Sequence, residues 1–275
     1  MRSSRASWSL AVGVSVLVSV QALGQQAATP ALTRAEIEAF LQHAKVVAHH
    51  GLSKGMTKPT RLTLSDGALT HDAVFQAIDV SAQRQRFADG RVELNFRDSY
   101  HYNIAAYRLA VLIGLGDMVP VTIERGWDGQ RGSLSWWIDW KWDEQMRRKE
   151  DVRPPDDRRI AYSNQLHLSR LFEELVDDTD RNQTNTLIAE DWRLYMVDFT
   201  RAFRTADEPP HVNRVLRCSR EVYQKLQALT RETVVNAVGS HVEPAAVNGL
   251  LARRDRILER LRALIQERGE ISVLF

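Results

Sequence analysis

The chain has 275 residues, 44% hydrophobic and 26% charged, an ordinary globular balance and enough sequence for one large or two-lobed unit. A single cysteine, Cys218, excludes an internal disulfide and a multi-cysteine metal site. Residues 1–24 hold Arg2 and Arg5 but no acid, so without them the formal charge of +2 falls to zero and nucleic-acid binding loses its electrostatic support.

Those first residues read as an export signal. Arg2 and Arg5 form a basic start, residues 8–20 are an apolar run broken only by Ser and Gly, and Ala22-Leu23-Gly24 offers small residues where a signal peptidase cuts. The run is short for a membrane span. The expected product is therefore exported, periplasmic or secreted, with no stable membrane span after cleavage; an uncleaved anchor is the alternative. A polar leader follows. Thr33 and Glu36 have capping-box spacing, Leu32 and Ile37 are placed as its staple, and Ile37, Phe40, Leu41 and Ala44 make one apolar stripe. This predicts a helix ending near Gly51, so residues 25–50 are leader and N-terminal helix.

Strand signals come next. Arg61-Leu62-Thr63-Leu64 alternates, Asp66-Gly67 marks a tight turn, and residues 73–78 form a second strand, which together predict a hairpin. Residues 98–113 read as a largely buried helix filled by Ile104, Tyr107, Leu109 and Val111, and stopped by Gly114 and Gly116. A strand enters after Pro120, and Leu134, Trp136, Ile138 and Trp140 share one face of another. The charged, proline-bearing stretch RRKEDVRPPDDRR follows, and the junction between two lobes is expected near residues 140–155. Beyond it the chain is mostly helical. One helix carries Leu166, Leu171, Phe172 and Leu175 and ends at Asp177-Asp178. Two short strands flank Glu190-Asp191, and a long helix runs from Pro244 to a stop at Gly269. The fold class expected is α+β, with an N-lobe over residues 51–145 and a C-lobe over residues 146–275.

The polar run DTDRNQTN carries the chemistry. Asp180 is followed five residues later by Asn185, and thirteen residues further on by Asp198-Phe199. Phosphoryl transfer needs positioning and charge neutralisation, a magnesium-type ion bound by hard oxygens, and a carboxylate to take the acceptor's proton. A short hairpin between Asn185 and Asp198 would set those two side by side. Turn chemistry is the plain alternative for all three residues.

The pattern Asp180-Arg181-Asn182-Gln183-Thr184-Asn185, then Asp198-Phe199, resembles the atypical protein-kinase-like superfamily. This includes phosphatidylinositol kinases, HipA-type kinases and Golgi secretory-pathway kinases, whose catalytic loop is D-R-H-x-x-N or a relative. The hairpin, the buried helix and the GSLSWWI segment follow in the order of that family's N-lobe, so the resemblance covers roughly residues 51–205. It implies a two-lobed kinase-like fold. Asp180 would be the catalytic base, Asn185 and Asp198 would hold Mg²⁺ or Mn²⁺, and ATP or a related nucleotide would donate phosphate to a protein, lipid or sugar acceptor. The family's phosphate-binding strand Lys falls at Gln76 and its partner helix Glu at Asn103, so both charges are replaced together. Lys58, or Lys54, is placed to substitute from the first strand. Asn182 stands for the loop His, and Thr200 follows Phe199 in place of Gly. The resemblance thus implies either a metal-dependent phosphotransferase or an exported pseudokinase acting as a nucleotide, metal or protein-binding module. A third reading, an envelope protein with accidental motif matches, predicts Asp198 far from Asn185.

Other features read more plainly. Asp177 and Asp178 are expected at an exposed helix end, and Arg181 in a salt bridge or orienting the loop. Trp136, Trp137, Trp140 and Trp142 divide between core and one exposed face, or border the nucleotide cleft. His49-His50 reads as a solvated helix end, and RRDRILERLRALIQER as a solvated basic helix face.

Overall fold

A computed structural model describes residues 32–52 and 59–275; the expected signal peptide, Lys54 and Lys58 lie outside the described residues. The first helix, α1 (Arg34–His43), starts as its sequence dictates. Thr33 caps it, and the Glu36 carboxylate accepts the Thr33 N–H at 2.7 Å, completing the capping box. It does not run on to Gly51. The chain turns at Ala44 into a strand, β1 (Lys45–Gly51). Val46 and Val47 are stiff β-branched residues, and pairing with the next strand, around a bulge between Val46 and Ala48, outweighs helix continuation. His49 and His50 consequently sit on a strand.

The predicted hairpin is β2 (Thr60–Ser65) and β3 (Thr70–Gln76). Gly67 takes φ +93° at its turn, and Asp66 Oδ1 accepts the N–H groups of Ala68 and Leu69 at 2.9 and 2.8 Å. The second strand begins and ends earlier than residues 73–78. An unpredicted two-stranded ribbon follows, β4 (Asp79–Arg86) with β5 (Val92–Ser99), antiparallel throughout. The helix α2 (His101–Leu112) comes next; Ile104, Tyr107 and Leu109 are buried, but Val111 is 38% exposed and does not join them. Strands β6 (Thr122–Trp127) and β7 (Gln130–Trp136) complete a five-stranded antiparallel sheet in the order β1-β2-β3-β7-β6. Because β7 stops at Trp136, Ile138 and Trp140 leave the strand.

A short strand, β8 (Trp142–Asp143), leads into α3 (Glu144–Lys149) and the long α4 (Asp156–Val176). Then come β9 (Thr186–Ile188) and β10 (Leu194–Met196), which join β8 in a three-stranded sheet ordered β10-β9-β8. The remainder is helical: α5 (Arg220–Ala228), α6 (Arg231–Val238), α7 (Pro244–Arg268) and α8 (Glu270–Val273). The Pro244 start and Gly269 stop of α7 are those its sequence predicts. The result is an α+β fold with a β-sheet lobe and a helical lobe. Among the described residues no helix is long and apolar enough to cross a membrane.

One packing constraint aims the sheet at the site. Gly132 on β7 lies against β3 so closely that a Cβ would stand 2.4 Å from the Gln76 carbonyl oxygen and 2.7 Å from the Phe75 ring. Gly132→Ala therefore has to push β3 away. It should cost about 1–3 kcal/mol, typical of overpacking, read as a fall in thermal midpoint of about 2–4 °C per kcal/mol.

Candidate active site

The polar loop is built from the end of α4 outward. Asp177 ends that helix with φ +49°, a left-handed turn that swings residues 178–185 across the lobe. Asp177 and Asp178 are both buried, which corrects the expectation of an exposed helix end. Asp178, whose side chain is 1% exposed, accepts the Asp180 N–H at 3.2 Å and lies 3.4 Å from Arg181 Nη1. Burial pushes the Asp178 carboxyl up to about 6, against the pull of the Arg181 guanidinium.

Arg181 has more than an ordinary salt bridge. Its side chain is 8% exposed and donates to the carbonyls of Val197 at 2.8 Å and Asn185 at 2.7 Å. The guanidinium also covers the Phe199 ring, 4.7 Å from its centroid. It thus ties together the two chain ends of the β9–β10 hairpin. The hairpin register pairs Thr186 with Met196, and Val197 N–H extends the ladder to the Asn185 carbonyl at 3.0 Å. Asn185 and Asp198 therefore leave the same end of one hairpin, the arrangement that the accidental-match reading excludes.

A chain of neutral groups reaches Asp198 from the other side. Phe199 N–H, which can only donate, bonds to Asn103 Oδ1 at 2.7 Å. That fixes the amide so that Asn103 Nδ2 faces Gln76 Oε1 at 2.6 Å and Ser133 Oγ at 3.2 Å. Gln76 Nε2 is then turned to Asp198 Oδ1 at 3.3 Å, which also accepts from the Thr200 hydroxyl at 3.3 Å. Asp198 itself takes φ +60°. Gln76 and Asn103, expected at the positions of a strand Lys and helix Glu, do form a buried hydrogen-bonded pair.

Gln76, Asn103, Asn185 and Asp198 line a cavity of about 370 Å³, whose walls include Val74, Leu187 and Met196. Trp136, Trp137 and Trp140 border it too, whereas Trp142 packs on Trp192 at 5.3 Å. Leu52 and Pro59 also line it and are joined by a backbone hydrogen bond of 3.0 Å. Asp180 does not line this cavity. It is exposed, and its carboxylate has no hydrogen-bond partner among the described residues. The surrounding protein raises its pKa, Asp198 adds to the rise, and Arg201 opposes it.

Sequence reasoning missed Asp98, at the end of β5. Its Oδ1 is buried without a hydrogen-bond partner among the described residues. Burial raises its pKa, with Asp198 and Asp180 adding and Thr200 and Arg201 opposing. Finding it needed the β4–β5 ribbon, whose alternation is weak. That ribbon is anchored to the chain after Asp198: Glu93 pairs with Arg201 and with Arg204, the latter at 2.6 Å, and Ser99 N–H donates to the Thr200 carbonyl at 2.9 Å. The basic face expected on α7 is not all solvated either. Arg253 is wholly buried and donates to the Leu175 and Arg204 carbonyls at 2.9 Å each. Among the described residues no group of three or more His, Cys, Asp or Glu side chains is arranged to hold a metal; His49 lies instead against Trp127, ring centroids 5.5 Å apart.

No protein-family model and no curated protein matches the chain. Among solved structures it is similar to hydra Fam20, determined with sugar, at a TM-score of 0.60 and 13% identity, over 88% of this chain and 91% of that one. At that identity the likeness shows the fold, the two-lobed kinase-like α+β arrangement.

The raised Asp178 carboxyl has a consequence for stability. Above its unfolded value of 3.8 and below about 6, the folded chain holds a proton that the unfolded chain has lost. The unfolded state then binds fewer protons, so stability falls as pH rises through that window. Denaturant unfolding from pH 4 to 7 should show this decline, and Asp178→Asn should reduce its slope.

Proposed function

We propose that the chain is a metal-dependent phosphotransferase of the atypical kinase type, taking phosphate from ATP or a related nucleotide. The observation that carries this reading is the shared hairpin end that sets Asn185 and Asp198 at the edge of the 370 Å³ cavity, with Asp180 on the loop beside them. The apolar and tryptophan-bordered wall suits a nucleobase, and the polar end suits phosphates. Asn185 and Asp198 offer hard oxygen donors of the kind that Mg²⁺ or Mn²⁺ takes, and the Asn185 side chain has no hydrogen-bond partner among the described residues. Such an ion would neutralise phosphate charge where the replaced strand Lys cannot. Asp180, exposed and with its carboxylate unpaired among the described residues, accepts the proton of the acceptor hydroxyl. The acceptor is a protein, a lipid or a sugar; the hydra Fam20 structure was determined with sugar, which supports including that class. The export signal expected from the sequence would put this activity outside the cytoplasm, in a periplasm or secretory route.

A pseudokinase, binding nucleotide, metal or a protein partner without transfer, is favoured by one observation. The neutral Asn103–Gln76 pair ends on Asp198 itself, where a phosphate-binding cation would otherwise reach.

Thermal unfolding with ATP and Mg²⁺ or Mn²⁺ tests the cleft. Ligand at about 100 times its Kd stabilises by about 2.7 kcal/mol, a rise of about 5–10 °C for a chain of this size. The rise should need metal and vanish in Asp198→Ala; its absence with every nucleotide and metal would sink the nucleotide reading. Asp180→Asn should keep the rise but lower ADP release by about 10²–10⁴-fold, the usual worth of a general base. Turnover unchanged in Asp180→Asn, or absent in the parent while the rise remains, would leave the pseudokinase.

A further inference from the structure

Behind the polar loop lies a second cavity, of about 610 Å³, which the nucleotide reading does not use. Its wall is formed by α3, α4, residues 181–183, Thr186 and Arg214. Three arginines converge on it from separate segments: Arg148 from α3, Arg170 from α4, and Arg214 from the short turn before α5. A fourth, the buried Arg181, forms part of the wall.

The charges do not balance. Glu144 is taken by Arg147 and Arg148, both at 2.6 Å, and by the Tyr162 hydroxyl at 2.6 Å. Glu173 lies 3.4 Å from Arg181 Nε, and Asp178 3.4 Å from its Nη1. Arg170 and Arg214 influence Glu173 only at longer range, as Arg214 does Glu174, and neither has an ion pair within 4 Å among the described residues. Burial holds the Glu173 carboxyl above its ordinary range despite these three arginines. Gln145 and Gln183 add neutral donors at the cavity wall. Two planar guanidinium groups, unpaired among the described residues and lining one polar cavity, suit a tetrahedral oxyanion, because each presents parallel N–H donors to two oxygens.

We infer that this cavity binds an oxyanion of the phosphate class between Arg170 and Arg214, with Arg148 at its rim. The bound anion would sit against Arg181, whose guanidinium holds the Asn185 and Val197 carbonyls, so the site is one side chain away from the hairpin end. The inference stands apart from nucleotide binding, since none of these arginines lines the first cavity.

Titration calorimetry of the whole chain tests it, with inorganic phosphate and O-phosphoserine as probes and sodium chloride at matched ionic strength as reference. Saturable binding of either probe is expected, retained in Asp198→Ala and weakened at least about tenfold in Arg214→Glu and in Arg170→Gln, as loss of a charged hydrogen-bond pair implies. Arg214 is exposed, so its reversal leaves the core intact. Tighter binding of O-phosphoserine would point to an esterified phosphate, and equal binding to the free anion. No binding beyond the chloride reference would overturn the inference. So would binding unchanged in both arginine variants, or binding lost in Asp198→Ala, which would put the anion in the first cavity.

Discussion

The Phe199 N–H donates to Asn103 Oδ1 at 2.7 Å, and the orientation of the Asn103 and Gln76 amides at the cleft follows from that bond. A backbone N–H cannot accept, so it settles which end of the Asn103 amide faces it. The settled amide orients Gln76, and Gln76 orients toward Asp198. The same bond fixes the backbone next to Asp198, which holds φ +60°. A helix from one lobe, a strand end and the loop of the other lobe are thereby set by a single hydrogen-bonded sequence. Buried polar groups of this kind specify one arrangement because each alternative leaves a donor or acceptor unpaired.

The opposite side of the hairpin is held by charge. Arg181 is buried with Asp178 and Glu173 near it, and donates to two carbonyls from chain segments that a hairpin turn separates. Guanidinium suits that task, because its forked donors meet several acceptors without moving. The cleft thus has a neutral side and a charged side. Asp198 lies between them, accepting from uncharged donors while Arg181 grips the backbone one residue before it.

Much of this was legible in the sequence because it is local. Capping residues, the Asp66-Gly67 turn, the Pro244 and Gly269 boundaries and the Asp180–Asn185–Asp198 spacing each depend on a few neighbouring residues. What was not legible depends on pairing across the fold. Residues 45–51 continue a helical stripe in pattern, yet a partner strand takes them. Residues 79–99 are mostly polar on both faces, so no burial pattern announced the ribbon, and Asp98 went unnoticed with it. Asp177, Asp178 and Arg253 carry charges that a sequence reading sends to solvent, whereas the fold buries them against carbonyls and counter-charges.

The two neutral amides buried at Gln76 and Asn103 fit the cost of burying charge. In the kinase family that the sequence resembles, a lysine and a glutamate are the expectation at those positions. Removing one charge would leave the other buried without compensation, which is strongly destabilising, whereas removing both is often neutral. The two amides meet in a 2.6 Å hydrogen bond and need no desolvation of charge. Neither amide carries a positive charge. The neutral pair still joins the helix to the strand end and, through the Phe199 N–H, to the loop at Asp198. Shape at this junction therefore rests on hydrogen bonds between uncharged groups, which hold without any ion pair.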